Sequence, residues 1–599
     1  LADFRQGLDL PPQTRGRVSG TLNISGSYDN PDLACDLAYG GGTLAGTSVG
    51  PGTLKGALHD RVFSCQELAF PLAAGLIRAE GTVDLKPVFP HGYGGAMQTD
   101  KVAYRLSVSA SGLRLGQAPS LPPDIGGTLQ AQVHIQGQGV GPKTMDMQAA
   151  FKADVAGFWV GRAIHRTAIA SEGRIDYQRG RLLLSPVTAR MNDAVLITRG
   201  QIALDAGKAI AGTMEIRIPR IERFLPPFSA AARGALNATA DLSGTLKVPG
   251  VDFMLSGKDC AWRDIVLGAI DVDGRLDQSG VLTVNRCRIL NQASRIDADG
   301  RVRLVRGFPR LDPDLEMSLR AALESFTPRD FLPGLPVSGR LNGQMRAEGS
   351  KHRLAGQARL TGDAMHYAEI PLGTLDLSAD LSGGVVSIHH AGLRSGDSAL
   401  IIDGTAMVLN EYPLAWIRDP AIDLRIREGR LHLQDFFTDA AGKTTLAGSV
   451  HGTLRQPLGG LIFAGRKLKL GPQQIDALDI TARIQGETLR IDHIGARIKA
   501  GQELKGSGWV SRQGGYALEL AGQAIELTAL DILKGVDGLQ GRMDLSLKGQ
   551  GTIAHPQLSG HAGIQGLKIK DQSFPDASLA LELRDTYLDV EGMLPFAIR

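Results

Sequence analysis

Six times along the chain two glycines stand ten residues apart, and the position five residues beyond the second is nearly always proline. The pairs are Gly16/Gly26, Gly127/Gly137, Gly234/Gly244, Gly339/Gly349, Gly442/Gly452 and Gly541/Gly551. The prolines are Pro31, Pro142, Pro249, Pro457 and Pro556, and only Leu354 breaks the series. Proline is about one residue in twenty in an average sequence, so this recurrence marks an internal repeat. The openings fall 99 to 111 residues apart, giving repeats over 1–126, 127–233, 234–338, 339–441 and 442–540, and an incomplete sixth over 541–599.

Two copies show the repeat most clearly, GALNATADLSGTLKVPGVDFMLSG at 234–257 and GKTTLAGSVHGTLRQPLGGLIFAG at 442–465. Strand, then Gly-Thr-x-x-x-Pro, then strand describes a hairpin. Glycine allows the tight turn, and proline opens the return strand, where its missing N–H costs least. Ahead of most openings lies a short connector with helical character, as in IERFLPPFSAAARG (221–234), TPRDFLPGLPVSG (327–339), SLPPDIGG (120–127) and LTALDILKGVDGLQG (527–541).

Between turns, apolar and polar residues alternate with period two. TLDLSADLSG (374–383) sets Leu375, Leu377, Ala379 and Leu381 against Asp376, Ser378 and Asp380. ALDITARIQG (477–486) sets Leu478, Ile480, Ala482 and Ile484 against Asp479, Thr481 and Arg483. The same alternation carries Met214, Ile216 and Ile218, then Leu424 and Ile426, then Leu545, and finally Leu579 and Leu581. This pattern predicts half-buried antiparallel strands with one wet and one dry face. Helical periodicity is confined to the connectors, so the expected fold class is all-β.

The remaining chemistry is sparse. Net charge is +3, with 65 basic and 62 acidic residues, which offers no nucleic-acid surface. No run of 18 apolar residues suggests a membrane-spanning helix. The chain begins at Leu1 without a signal-peptide pattern, and reads as a piece of a longer protein whose anchor lies elsewhere. Cys35, Cys65, Cys260 and Cys287 lack metal-ligand spacing, leaving a disulfide within each pair or buried thiols as alternatives. His389 and His390 are neighbours on a strand, so they are expected on opposite faces. DVDG (271–274) and DADG (297–300) lack the further ligands of a calcium loop and are expected to be turns. AGRKLKLG (464–471) and GLKIKD (566–571) place lysines on one strand face, solvated or meeting lipid phosphates at a rim. No nucleotide-binding, nucleophile-elbow or zinc-protease motif occurs, so no cofactor, metal or catalytic residue is assigned and no enzyme is expected.

A sheet with one apolar face must cover it. Aromatic residues, the usual filling of a sandwich core, are only 5% of the chain. Small and aliphatic lining instead suits an open trough holding flexible chains. The phrases LSGTLKVPGVDF (242–253), GQGTIAHPQLSGHAGIQGLKI (549–569) and TYLDVEGMLPFAI (586–598) resemble the AsmA-like superfamily, and within it TamB-type proteins. The likeness extends over all six repeats. It implies an elongated antiparallel sheet curled into a taco-like open groove, with short helical connectors between repeats. About five strands per repeat at ~4.8 Å each would extend on the order of 140 Å.

The resemblance further implies a periplasmic protein of the Gram-negative cell envelope, held at the inner membrane by an anchor outside this segment. Its groove would move phospholipid between inner and outer membranes. The dry-face residues would line it: Met214, Ile216, Ile218, Leu375, Leu377, Ala379, Leu381, Leu424, Ile426, Leu478, Ile480, Ile484, Leu545, Leu579 and Leu581. The alternative it carries is a scaffold for assembling outer-membrane or autotransported proteins by strand addition, with an outer-membrane barrel as partner.

Overall fold

Period-two alternation broken by glycine hairpins leaves the chain one regular option, the antiparallel meander, and the computed structural model has that form. It describes residues 15–44, 47–93, 97–118, 125–141, 143–160, 164–205, 207–224, 232–307, 310–350, 353–368, 370–411, 414–436, 438–499, 502–552, 555–584 and 587–593. Strand accounts for 78% and helix for 4%, so the fold is all-β. Contacts divide the chain into two compact units, Leu1–Gln292 with Asp299–Pro313, and Ala293–Ala298 with Asp314–Arg599.

In the first unit, the strands from Arg15–Ser27 to Val281–Asn291 pair antiparallel in chain order, the short Thr47–Val49 lying to one side. In the second, the same order runs from Met317–Phe326 to Tyr587–Met593. Among the described residues, neither unit's sheet closes into a barrel. Complete repeats hold six strands where about five were expected. The second repeat, for example, comprises Ile125–Gln138, Asp146–Val160, Ile164–Gln178, Arg181–Met191, Ala194–Ala203 and Ile210–Ile218. An even number returns the chain to the same edge before each connector, so successive connectors within a unit lie along one rim.

The repeated glycines and prolines have distinct duties. In five of the six pairs the second glycine faces the hairpin residue directly: Gly26 pairs with Pro31, Gly244 with Pro249, Gly452 with Pro457, Gly551 with Pro556, and Gly349 with Leu354, whereas Gly137 pairs with Met147. Pro249, Pro457 and Pro556 each open their strand, as expected, while Pro142 lies outside the described residues. The first glycine sits in a register shift in every repeat, at positive φ between +120° and +155°. It turns the rim strand at a bulge, a conformation closed to residues with a side chain.

A second rim device recurs on the facing strands. Asp259, Ala364, Lys467 and Ala524 adopt left-handed backbone, with φ between 50° and 53°. The next residue then folds beneath the sheet, over a glycine three positions earlier. Cys260 lies over Gly257, Met365 over Gly362, Leu468 over Gly465 and Ile525 over Gly522. Cys260, Met365, Leu468 and Ile525 are all buried. This local flip breaks the alternation expected of AGRKLKLG: Lys467 makes the bend and Leu468 goes inside.

A Cβ at Gly442 would lie 2.7 Å from Leu468 Cδ2 and 2.9 Å from the Lys467 carbonyl oxygen, at a φ of +123°. At Gly460, on the polar face, it would meet nothing within 4 Å. Gly442→Val is therefore expected to destabilise the second unit by about 2 kcal/mol or more. Gly460→Ala should be neutral or stabilising by up to ~1 kcal/mol. Urea denaturation of both variants checks the contrast.

Candidate functional site

Cross-strand partners in an antiparallel sheet share a face, so the register lists show what each face is made of. In the first unit one row runs from Leu22 through Cys35, Gly56, Cys65, Gly81, Leu106, Ile135, Ala149, Ile175, Leu184, Gly200, Gly212, Leu242, Val251 and Leu276 to Leu282. In the second unit another runs from Leu323 through Gly343, Leu360, Leu377, Ala391, Ile402, Ile426, Gly448, Leu461, Ala482, Ile491, Gly508, Leu518 and Gly549 to Leu558. No polar residue interrupts either row.

These lanes are dry without being sealed. Leu106, Ile135, Leu242, Leu360, Leu377, Leu461 and Leu518 are all half-buried. Their partial shelter comes from their own sheet. Leu360 leans over Gly343, Leu461 over Gly448 and Leu518 over Gly508, each with Cδ2 2.8 Å from where a glycine Cβ would be. Phe63 lies over Gly56 in the same way, with Cζ at 2.6 Å. Alternating glycine with leucine lets each side chain lie flat on the neighbouring strand, so the lane stays low and smooth.

The predicted lining residues fall on these dry faces. Met214, Ile216 and Ile218 share one in the first unit, beside Gly212. The other twelve share one in the second unit, on the strands crossed by the lane or next to them. Leu375, Leu377, Leu381, Leu424, Ile426, Ile480 and Ile484 are half-buried, whereas Ala379 is buried. Ile218 packs with Ile221 and Ala194 in a rim core, so it is structural rather than open lining. Leu478 and Leu545 border one rim core, and Leu579 and Leu581 border another.

Those rim cores are where the connectors dock. Ile221, Phe331, Leu433 and Leu527 are each buried, one apolar anchor per connector. Carboxylates fasten three of the connectors to the sheet. Ser294 Oγ donates to Asp330 Oδ2 at 2.6 Å, and Ser398 Oγ donates to Asp435 Oδ2 at 2.6 Å. Asp531 Oδ2 accepts from the Gln474 backbone N–H at 2.7 Å, while Asp531 also pairs with Lys499 and with Lys534 at 2.7 Å. The Lys499 and Lys534 ammonium groups hold the Asp531 carboxyl well below the usual carboxylate range. Sequence reading missed these clamps. Their signal is the recurrence of an aspartate inside each connector, in TPRDF, HLQDF and ALDIL.

Polar candidates resolve differently from expectation. His389 and His390 lie on the same wet face, because the register shift between Ile388 and Ala391 inserts an extra residue. His389 Nε2 meets Asp380 Oδ2 at 2.9 Å, and His390 lies over Gly392. Asp271 and Asp273 belong to strand Ile265–Leu276, and Asp297 and Asp299 to Ser294–Arg303, so neither sequence is a turn. None of the four cysteines forms a disulfide. Cys35 and Cys65 flank Gly56 from non-adjacent strands, two strand spacings apart and beyond disulfide reach. Burial pushes the Cys65 and Cys260 thiols up.

Each unit thus carries a continuous aliphatic lane on a sheet that no second sheet covers among the described residues. Comparison with protein-family models, curated proteins and solved structures finds no match to this chain.

Two outcomes are expected. Leu377→Asp, on the open lane, should cost the second unit about 1 kcal/mol, whereas Leu468→Asp, buried in the rim core, should prevent that rim from closing. Circular dichroism and urea denaturation separate the two. For Asp531, a depressed folded-state pKa means stability that is present above about pH 4 and lost as pH falls below it. Asp531→Asn should flatten this acid dependence of the unfolding midpoint between pH 7 and pH 3.

Proposed function

We propose that the chain is a conduit that carries phospholipid along its apolar face, within a periplasmic protein linking the inner and outer membranes. The observation that carries this reading is the unbroken aliphatic lane in each unit, half-buried and roofed by no second sheet among the described residues. Acyl chains gain roughly 0.8 kcal/mol for each CH₂ removed from water, so a carrier must offer a dry path without gaps. Lining by Leu, Ile, Ala and Gly suits contents that slide and flex, because it presents no deep shape to lock a rigid ligand. The charged opposite face keeps the sheet wettable, and headgroups stay at the water-exposed border of the lane. The likeness of the hairpin phrases to TamB-type proteins points the same way. No bond is made or broken in this function.

Site-specific photo-crosslinking in cells tests it, with the probe at Leu377 on the lane and separately at Asp376 on the opposite face. Phospholipid adducts are expected at Leu377 and not at Asp376. Equal labelling at both, or none at Leu377 in a folded protein, would sink the proposal. With the probe at Ile480 instead, a Leu377→Asp substitution should lower adduct yield several-fold, since the charge breaks the dry path.

A further inference from the structure

The polar face of the second unit carries a cluster of like charges packed against one another. Several cations on that face sit on carboxylates: Arg483 on Asp492 at 2.6 Å, Lys548 on Glu519 at 2.9 Å and Arg346 on Glu348 at 2.7 Å. Near the rim, Lys443 and Arg466 are direct cross-strand partners. Arg466 then faces Ala477, and Ala477 faces Arg497. Like charges placed opposite each other in a sheet destabilise it. The short Ala477 side chain leaves a gap between the two guanidinium groups instead of filling it.

Among the described residues, no carboxylate lies within ion-pair distance of Lys443, Arg466 or Arg497. Glu503, the cross-strand partner of Arg497, is engaged by Lys505 at 3.4 Å. These three cations and Arg430 line a hollow of about 830 Å³. Beneath it the left-handed turn at Lys467 and the buried Leu468 hold the Arg466 strand in place. Asp476 and Asp479 stand on its wall, which favours a compact anion over a long polyanion.

We infer that this hollow binds a phosphate-class oxyanion, as free phosphate or as a phosphate ester, held between Lys443, Arg466 and Arg497. Three long cationic side chains on one face, carried by strands on either side of the Ala477 gap, can reach an anion held between them, and the guanidinium forks offer bidentate contacts to its oxygens. The spare volume accommodates an ester substituent. The cations are solvent-exposed, so binding should weaken as ionic strength rises. This site lies on the face opposite the apolar lane and does not depend on what that lane carries.

The test uses the whole chain and two probes, inorganic phosphate by calorimetry at low salt and flotation with phosphatidylglycerol-containing vesicles. Arg466→Ala/Arg497→Ala is compared with Arg340→Ala/Arg359→Ala, a control of equal charge change on the same unit, each checked by circular dichroism. At least tenfold weaker phosphate binding in the first variant alone is expected, and Lys443→Gln should reproduce part of it. If only vesicle binding is lost, selectively in the first variant, the site still takes phosphate, with lipid headgroups as its source. Equal loss in both double variants, or none with either probe, would overturn the assignment.

Discussion

Everything in this protein follows from sheets that have a dry face and, among the described residues, no second layer to put on it. An antiparallel meander satisfies its backbone hydrogen bonds strand by strand, so it can grow without limit in the pairing direction. It cannot hide the face that its own alternation makes apolar. A sandwich solves the problem by pairing two such sheets, and each lane leucine would then be buried by side chains from across the core. Here Leu360, Leu461 and Leu518 find shelter beside them, over the gaps left by Gly343, Gly448 and Gly508 in neighbouring strands. The protein has thus minimised the cost of an open apolar face without removing it.

Stability is concentrated where the face ends. At the rims the left-handed flips drive Cys260, Met365, Leu468 and Ile525 under the sheet, and the connectors add Ile221, Phe331, Leu433 and Leu527. A buried aliphatic side chain stabilises by roughly 1.5–3 kcal/mol, more than a half-covered one on the lane contributes. The Asp330, Asp435 and Asp531 clamps then fix each connector against the sheet edge. This division lets the lane residues be chosen for what they touch, since folding rests mainly on the rim. Hydrogen-bonded pairing supplies regularity, the rim cores supply free energy, and the lane is left available.

How much of this was legible in the sequence depends on the range of the cause. Alternation, hairpin glycines and hairpin prolines are local, and they located the strands and the shared face of the residues from Leu375 to Ile484. The bulges were not legible. A bulge is a register decision between two strands, and nothing in VSIHHAG announces that His389 is the extra residue that brings both histidines to one face. The same holds for DVDG and DADG, whose aspartates resemble turn formers but face Arg286, Arg288 and the bulk solvent from mid-strand. The rim flips leave a faint trace, a glycine followed three residues later by Cys, Met, Leu or Ile, which acquires meaning only once the left-handed residue between them is seen.

Composition gains its sense from the same constraint. Few aromatics in a chain of this size would be a defect in a closed core, because large rings bury the most area per residue. On an open lane they would project from the sheet and obstruct it, unless a glycine opposite gave them room to lie flat, as Gly56 does for Phe63 and Gly274 for Phe253. Glycine, abundant here, therefore serves two ends: it bends the rim strands, and it levels the lane. Soluble proteins rarely leave contiguous apolar surface beyond a few hundred Å² uncovered. A lane that crosses strand after strand without a polar break exceeds what water tolerates at no cost, and the proposed conduit role is one way to cover it. Under that proposal the lining's character matters: continuous, shallow and aliphatic, it suits flexible hydrocarbon chains better than the knobs and pockets of a second folded surface.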